Sequence, residues 1–225
     1  VDQVSALAID ALKTVYISPG IPPNHPLVLT LRQAKVNIMN DIDLFCQVRQ
    51  KNIIAVTGSN GKSTLVTLLH TIGTQLGYTM QCGGNLGQPA LNLLNYKTPD
   101  YTVLELSSYQ LHTLKRASFE VACLLNIYPN HLDWHNTMSH YIKSKHKIFK
   151  WATHAIYNAD QDLTKPLKPT QSTTSFSKQP TCSHAWGYTD ADNQCYLTYH
   201  HKIIGPISQW PGLIGCHPET IIAAL

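Results

Sequence analysis

Apolar positions follow two rhythms along the 225-residue chain. From Asn52 to about Asp160, short continuous apolar runs alternate with longer stretches in which apolar residues recur every three to four positions. A short continuous run bounded by turns marks a strand covered on both faces, and the longer recurrence marks an amphipathic helix. The pattern predicts strands at 53–57, 78–82, 100–106, 121–126 and 154–158, and helices at 62–76, 88–95 and 137–150. Gly77 stands just past the first helix, where a residue free to adopt positive φ is favoured. Strands and helices in this alternation form right-handed crossovers and hence a parallel sheet.

Upstream, "LKTVYIS" (12–18) and "VNIMN" (36–40) read as short strands, 26–35 as a helix, and "DIDLFCQVR" (41–49) as a helix capped by Asp41. "SPGIPPNHP" (18–26) is too rich in Pro and Gly for a helix or an inner strand. After Asp160 the pattern turns to short β-like pieces, "STTSFS", "HAWGYT" and "CYLTYHHKII", with a final helix beginning near Pro218. The fold expected is α/β: a central P-loop-type, mostly parallel sheet with a β-rich extension, preceded by the end of a small α/β unit. Residues 1–50 and 51–225 are the expected domains.

The strand–turn–helix at "IIAVTGSNGKSTLVTLLH" (53–70) carries the first chemistry. A full G-x-x-x-x-G-K-[ST] loop would place Gly where Val56 stands; here a shorter form runs from Thr57 to Thr64, with Gly58 and Gly61. Two glycines still let the backbone bend and approach an anion. Successive amides of Gly58, Ser59, Asn60 and Gly61 and the helix start supply partial positive charge. Lys62 adds a full charge for the β/γ-phosphates, and the Ser63 hydroxyl suits Mg²⁺. The competing reading is a plain strand–helix turn with Lys62 in solvent.

Glu105 lies between Leu104 and Leu106 at the end of an apolar run. A lone carboxylate there is costly unless it is paired or on a metal. Ligands of open α/β sheets gather at the carboxyl ends of strands, so Glu105 is a candidate Mg²⁺ ligand beside Ser63, or else an acid at an exposed strand edge. "LLNIYPNHLDWH" (124–135) follows another strand end, with His131 either a metal ligand or an ordinary loop histidine. "QCGGNLGQPA" (81–90) is a third such loop, with Asn85 as its polar contact. In the helix 137–150, Lys143 and Lys145 differ by about 200° around the axis, so one faces inward if the other faces solvent.

Composition changes little in this picture. Hydrophobic residues make up 43% and charged residues 13%, with a net charge of +4, as in an ordinary globular protein. No run of Lys/Arg is interleaved with aromatics, so no nucleic-acid partner is expected. No apolar stretch reaches the ~18 residues of a membrane span, and no signal peptide is visible. The six cysteines form no C-x-x-C pair and read as reduced thiols of a cytoplasmic protein.

Taken in order, "SPGI" (18–21), "GSNGKST" (58–64), "GGNLGQPAL" (83–91), "LELSSYQL" (104–111), "NHLD" (130–133), "YIKSKHKIF" (141–149) and "NAD" (158–160) resemble the Mur ligases of peptidoglycan synthesis. "GSNGKST" together with "LELSSYQL" is similar to the branch that adds D-glutamate. Sister ligases and folylpolyglutamate synthases carry GKT or GKGST instead. The resemblance implies a ligase in which the carboxylate of UDP-MurNAc-L-Ala takes the γ-phosphate of ATP. The acyl phosphate is then attacked by the amine of D-glutamate. It further implies that Gly58 to Thr64 bind ATP and that Lys62, His131 and Lys145 are catalytic. Ser63, Glu105, His131 and Lys145 would hold two Mg²⁺ ions, Lys145 as a carbamate. Ser18, Gly20, Asn85 and Ser107 would line the substrate, and a cytoplasmic monomer is expected.

Two departures stand out against that resemblance. Trp134 replaces a common Arg, and the nucleotide-binding "G-x-H-N-x-x-N-x-x-A-A" helix reads "GCHPETIIAAL" (215–225), one residue shorter, with Thr220 near the second Asn. By the resemblance, residues 1–50 are the end of a UDP-substrate domain, and the D-glutamate domain is absent. The chain alone is then expected to be inactive, and the alternative is a non-catalytic nucleotide-binding fragment. A GTP switch protein would need N-K-x-D, and "NADQD" (158–162) lacks the lysine.

Overall fold

The computed structural model describes residues 9, 11–168, 170–177, 186–191, 194–199, 202–209, 220 and 223. A small first unit pairs β1 (Thr14–Tyr16) in parallel with β2 (Asn37–Met39) through α1 (Pro26–Gln33). Proline opens α1, where a missing N–H costs nothing, and His25 Nδ1 accepts from Leu27 N at 3.2 Å. Ile9, Leu31 and Val36 form the unit's own apolar cluster.

In α2 (Asp41–Val48) the cap is Asn40 and not the expected Asp41, which is the first helical residue. Asn40 Oδ1 accepts from Asp43 N at 2.9 Å, and Asp43 Oδ2 accepts from Asn40 N at 3.0 Å. A capping box needs an acid or amide three residues after the cap; Asp43 stands so to Asn40, while Leu44 would follow Asp41. Asn40 Nδ2 also donates to Gln110 O at 2.9 Å, and Asp43 Oδ1 accepts from Lys115 N and Arg116 N, each at 2.8 Å. The apolar face of α2, Ile42, Phe45 and Cys46, is buried in the core of the large sheet and not with the first unit. Asn40→Ala is therefore expected to cost about 2 kcal/mol, the sum of a lost cap and the lost buried hydrogen bonds of the Asn40 amide to Gln110 O and Thr113 Oγ1. Urea unfolding measures it; a change near zero would show that the box contributes nothing.

The large sheet contains β3 (Ile53–Thr57), β4 (Met80–Gly84), β5 (Tyr101–Glu105), β6 (Phe119–Leu124), β7 (Ala152–Asn158), β8 (Ser172–Ser177), β9 (Trp186–Ala191), β10 (Gln194–Tyr199) and β11 (Lys202–Pro206). Their order is β11-β10-β9-β8-β7-β6-β3-β5-β4. Pairings from β4 to β9 are parallel, and the last two are antiparallel. The β-rich segment is thus continuous with the same sheet, and "CYLTYHHKII" contributes to two antiparallel strands, β10 and β11. The helix expected near Pro218 lies outside the described residues, apart from Thr220 and Ala223, which are helical.

Successive strand residues point to opposite faces, and both faces are covered. Ala55, Leu104 and Leu124 enter one core with Phe45, Tyr141 and Ile148. Their neighbours Val56, Val103 and Cys123 enter the other with Leu65 and Leu68. The second layer is α3 (Lys62–Gln75); the first includes α4 (Ser108–Thr113), α5 (Leu132–His135) and α6 (Met138–His146).

Several boundaries differ from the sequence pattern; β6 and β7 each start two residues earlier than expected, and β6 ends two residues earlier. β4 starts at Met80 and not at 78, because Thr79 N is held by the Asp100 carboxylate at 2.7 Å. It runs on to Gly84, whose φ is 115° and where any Cβ would collide with the Glu105 carbonyl. The helix expected at 88–95 is a 3-10 turn, Ala90–Asn95, and the one at 137–150 ends at His146 in a 3-10 turn, Lys147–Trp151. α4 was not predicted, although Ser107 and Gln110 form its capping box. Among the described residues no helix is long and apolar enough to cross a membrane. Cys46, Cys82 and Cys123 are free, and burial pushes the thiols of Cys46 and Cys123 up to about 12.

Candidate nucleotide and metal site

Every candidate loop of the large sheet opens from the carboxyl end of a parallel strand. The connection from β3 leaves through α3 towards β4, while that from β6 leaves through α5 and α6 towards β7. Such a divergence opens a crevice between neighbouring strands, where ligands of α/β sheets bind.

Gly61 begins α3 at φ 79°, and no side chain caps the helix. Its first amides are left to an anion. The loop's shape is fixed from behind. Asn126 Oδ1 accepts from Asn60 N at 2.9 Å, and Asn126 O accepts from Ser59 N at 3.0 Å. Ser59 Oγ accepts from Tyr128 N at 2.8 Å, donates to Tyr128 O at 3.0 Å, and lies 2.8 Å from Tyr141 Oη. Since the serine's one hydrogen goes to Tyr128, the tyrosine supplies the other.

Two lysines meet on this loop. Lys62 Nζ donates to Gly58 O at 3.0 Å and to Ser59 O at 3.1 Å. Lys145 Nζ donates to the same Gly58 O at 2.8 Å and to Thr57 Oγ1 at 3.3 Å. Lys145 is only 2% exposed, and its Nζ lies 4.9 Å from the Tyr141 ring centroid. Burial, then the Lys62 charge, hold the Lys145 pKa well below the usual lysine range, against the pull of Glu105. Burial also lowers Lys62, and Glu105 opposes it. Two lysine nitrogens on one carbonyl oxygen disfavour charge on both at once unless negative charge is brought in.

Glu105 closes β5 at 3% exposure. Its Oε2 accepts from Ser63 Oγ at 2.7 Å and its Oε1 from Asn85 Nδ2 at 3.0 Å. Thus the strand ends β4 and β5 and the second residue of α3 converge as the sequence pattern expected. The donors are hard oxygens, which fit Mg²⁺. Among the described residues no three His, Cys, Asp or Glu converge as a metal cage. A Mg²⁺ here would complete its shell with water and phosphate oxygens, as this ion commonly does.

The remaining candidates are placed less tightly. His131 caps α5 at φ 53°, and its exposed ring lies tilted against Tyr109 at 5.0 Å. Desolvation of the ring and the charges of Lys145 and Lys62 lower its pKa, against Asp133, and so favour the neutral ring that a metal requires. Ser107 Oγ is engaged in capping, accepting from Gln110 N at 3.2 Å. Thr64 is exposed. Ser18 and Gly20 lie in the turn after β1, where Ser18 O accepts from Ile21 N at 3.0 Å, and no hydrogen bond among the described residues joins them to the loop. Trp134 packs against Tyr109 at 4.9 Å and His135 at 4.6 Å.

Sequence reasoning missed Asn126, Tyr128 and Tyr141, and it placed Thr220 only by resemblance. Tyr141 had a signal, since it stands one turn before Lys145 on the same helical face. Thr220 is buried, with its hydroxyl 3.1 Å from where a Gly61 Cβ would stand. Nothing local in the sequence announces that approach.

Residues 56–203 match the Mur ligase middle domain, and the chain belongs to the Mur ligase family. Among individual proteins it is similar to the UDP-N-acetylmuramoylalanine--D-glutamate ligases of Saccharophagus degradans, 40% identical over 70% of this chain and 35% of that protein, and Pseudomonas aeruginosa, 35% identical over 92% and 46%. The Haemophilus ducreyi ligase of the same name is 42% identical over 70% of this chain and 36% of its own length. The chain thus spans less than half the length of these relatives. In fold it is similar to the UDP-N-acetylmuramate:L-alanyl-gamma-D-glutamyl-meso-diaminopimelate ligase of Neisseria meningitides (TM-score 0.63, 17% identity, 94% of this chain and 72% of that one). It is also similar to the MurF ligase of Thermotoga maritima in complex with ADP (TM-score 0.60, 17% identity, 96% and 62%).

Proposed function

We propose that this chain is the ATP-binding part of a cytoplasmic, monomeric ligase that joins D-glutamate to UDP-MurNAc-L-Ala through an acyl phosphate. The observation that carries the reading is the buried Glu105 carboxylate holding the Ser63 hydroxyl, facing a loop on which Lys62 and Lys145 converge. Similarity to ligases of that name over most of the chain supports the substrate assignment. The first unit would be the end of the UDP-substrate domain. Because α2 packs on the large sheet, a joint near Asn40 fits the cores better than one at residue 50.

In this reading the uncapped α3 amides and Lys62 hold the β/γ-phosphates. Ser63 and Glu105 hold one Mg²⁺; His131 and a carbamylated Lys145 hold a second. Bound Mg²⁺ supplies charge neutralisation at the phosphates. Asn85 orients Glu105, and Tyr141 fixes Ser59 and with it the loop, so that the donors need not reorganise as charge develops. Lys62 stabilises charge on the transferring phosphoryl group. Ser18 and Gly20 would touch the nucleotide-sugar end, and Ser107 would line the acceptor side.

Glu105→Gln tests this reading. The amide keeps the size of the side chain and can still accept from Ser63, but it removes the charge. Turnover should fall about 10²-fold, with a rightward shift of the Mg²⁺ titration and of Mg²⁺-dependent ADP binding. An unchanged Mg²⁺ titration in a folded variant would make Glu105 a structural acid.

A further inference from the structure

A second concentration of positive charge lies outside the phosphate loop. An open cleft of about 500 Å³ runs between the end of α6, the 3-10 turn after it, the start of β7 and the residues Leu167, Lys168, Thr170 and Gln171. Lys143, His146, Lys147, Lys150 and Lys168 line it, and no acid does. Lysines in the last turn of a helix have an ordinary explanation in the helix dipole. That explanation does not reach Lys168, which comes from a separate segment and faces the same cleft.

The cations are poorly compensated. Among the described residues none of these lysines forms an ion pair. Lys147 Nζ is anchored on the His112 carbonyl, and Lys150 Nζ lies 4.3 Å from the Trp151 ring centroid. Lys143 and Lys168 are exposed. His146 Nε2 lies 2.7 Å from Leu163 O, which can only accept, so Nε2 carries the hydrogen. The charged groups that line the cleft are all of one sign, which concentrates anions there.

We propose that this cleft binds a diphosphate group, distinct from the nucleotide held at the Gly58–Thr64 loop. Lysine ammoniums suit phosphate oxygens as point charges, and the lining has no arginine fork of the kind that chelates a planar carboxylate. Several converging lysines match a group of several charges better than a monoanion. Thr170 and Gln171 add neutral donors, and Leu167, 78% exposed, gives the rim an apolar contact for the organic part. The diphosphate can come from a soluble organic diphosphate or from a lipid headgroup. The site stands independently of the ligase reading.

The test uses the whole chain carrying Lys62→Ala, which weakens the phosphate loop as a competing site, titrated with inorganic diphosphate by calorimetry. Binding should persist, weaken as salt is raised, and fall about tenfold or more when Lys150→Gln and Lys168→Gln are added. Thermal unfolding checks that the variants remain folded. Absence of diphosphate binding in the Lys62→Ala protein, or binding that ignores the two added substitutions, overturns the proposal. Flotation with phosphatidylcholine vesicles carrying a long-chain alkyl diphosphate separates the sources. Capture that depends on Lys150 and Lys168 assigns the lipid headgroup, and titration binding without capture assigns the soluble ligand.

Discussion

Replacing Lys62 by alanine is expected to lower ATP-dependent ligation by about 10²-fold or more in the protein carrying this chain, with the fold preserved. The size of the effect follows from position. A fixed positive charge at a reacting phosphate acts where charge develops, and losses of that order are common for such groups. The fold should survive because the loop does not depend on Lys62 alone. Its shape is held by Asn126 on Asn60 and by Tyr128 and Tyr141 on Ser59. What the variant loses is two hydrogen bonds to loop carbonyls and one charge. Turnover and circular dichroism measured together check this, and near-normal turnover in a folded variant would remove Lys62 from the mechanism.

Lys145→Ala should be nearly inactive, and small carboxylic acids such as acetate should partly restore it. A lysine at 2% exposure, bonded to Gly58 O beside a second lysine, is a poor place for an ammonium ion. Burial and the Lys62 charge both disfavour its charged form. In the proposed reading the neutral amine would add CO₂, forming an N–C bond in place of one C=O π bond and releasing one proton to solvent. The product would be an anionic, two-oxygen ligand, reversing the sign of the site in favour of Mg²⁺. In the alanine variant an acetate ion can take the place of the carbamate. Lys145→Met, which keeps most of the unbranched stem but has no amine to form it, should be as inactive as the alanine variant. Failure of every small acid to rescue, together with a bare ammonium in a crystal grown with bicarbonate, would overturn the carbamate.

Much of the candidate site could be read from the chain, for local reasons. The phosphate loop is legible because the glycines, Lys62 and Ser63 are contiguous, and their spacing is itself the geometry. Glu105 is legible because one acid inside an apolar run requires a partner. Lys145 is legible because 100° per residue turns it away from Lys143. Misreadings arose where neighbours compete. Asp41 and Asn40 can both cap, and only the box with Asp43 decides between them. α4 has only six residues and follows closely on a strand, so periodicity gives it no weight.

By itself, then, the sequence determined the strand and helix rhythm of the parallel sheet, the phosphate loop and the acid that faces it. These depend on residue order and on periods of two and 3.6 positions. The tertiary structure alone decided that Lys62 and Lys145 share the Gly58 carbonyl, and that Tyr141 and Asn126 hold the loop. It alone decided that α2 belongs to the core of the large sheet and that Lys168 joins the α6 lysines around one cleft. Those pairings join positions tens of residues apart. They follow from which strand lies next to which, and no local pattern encodes that order.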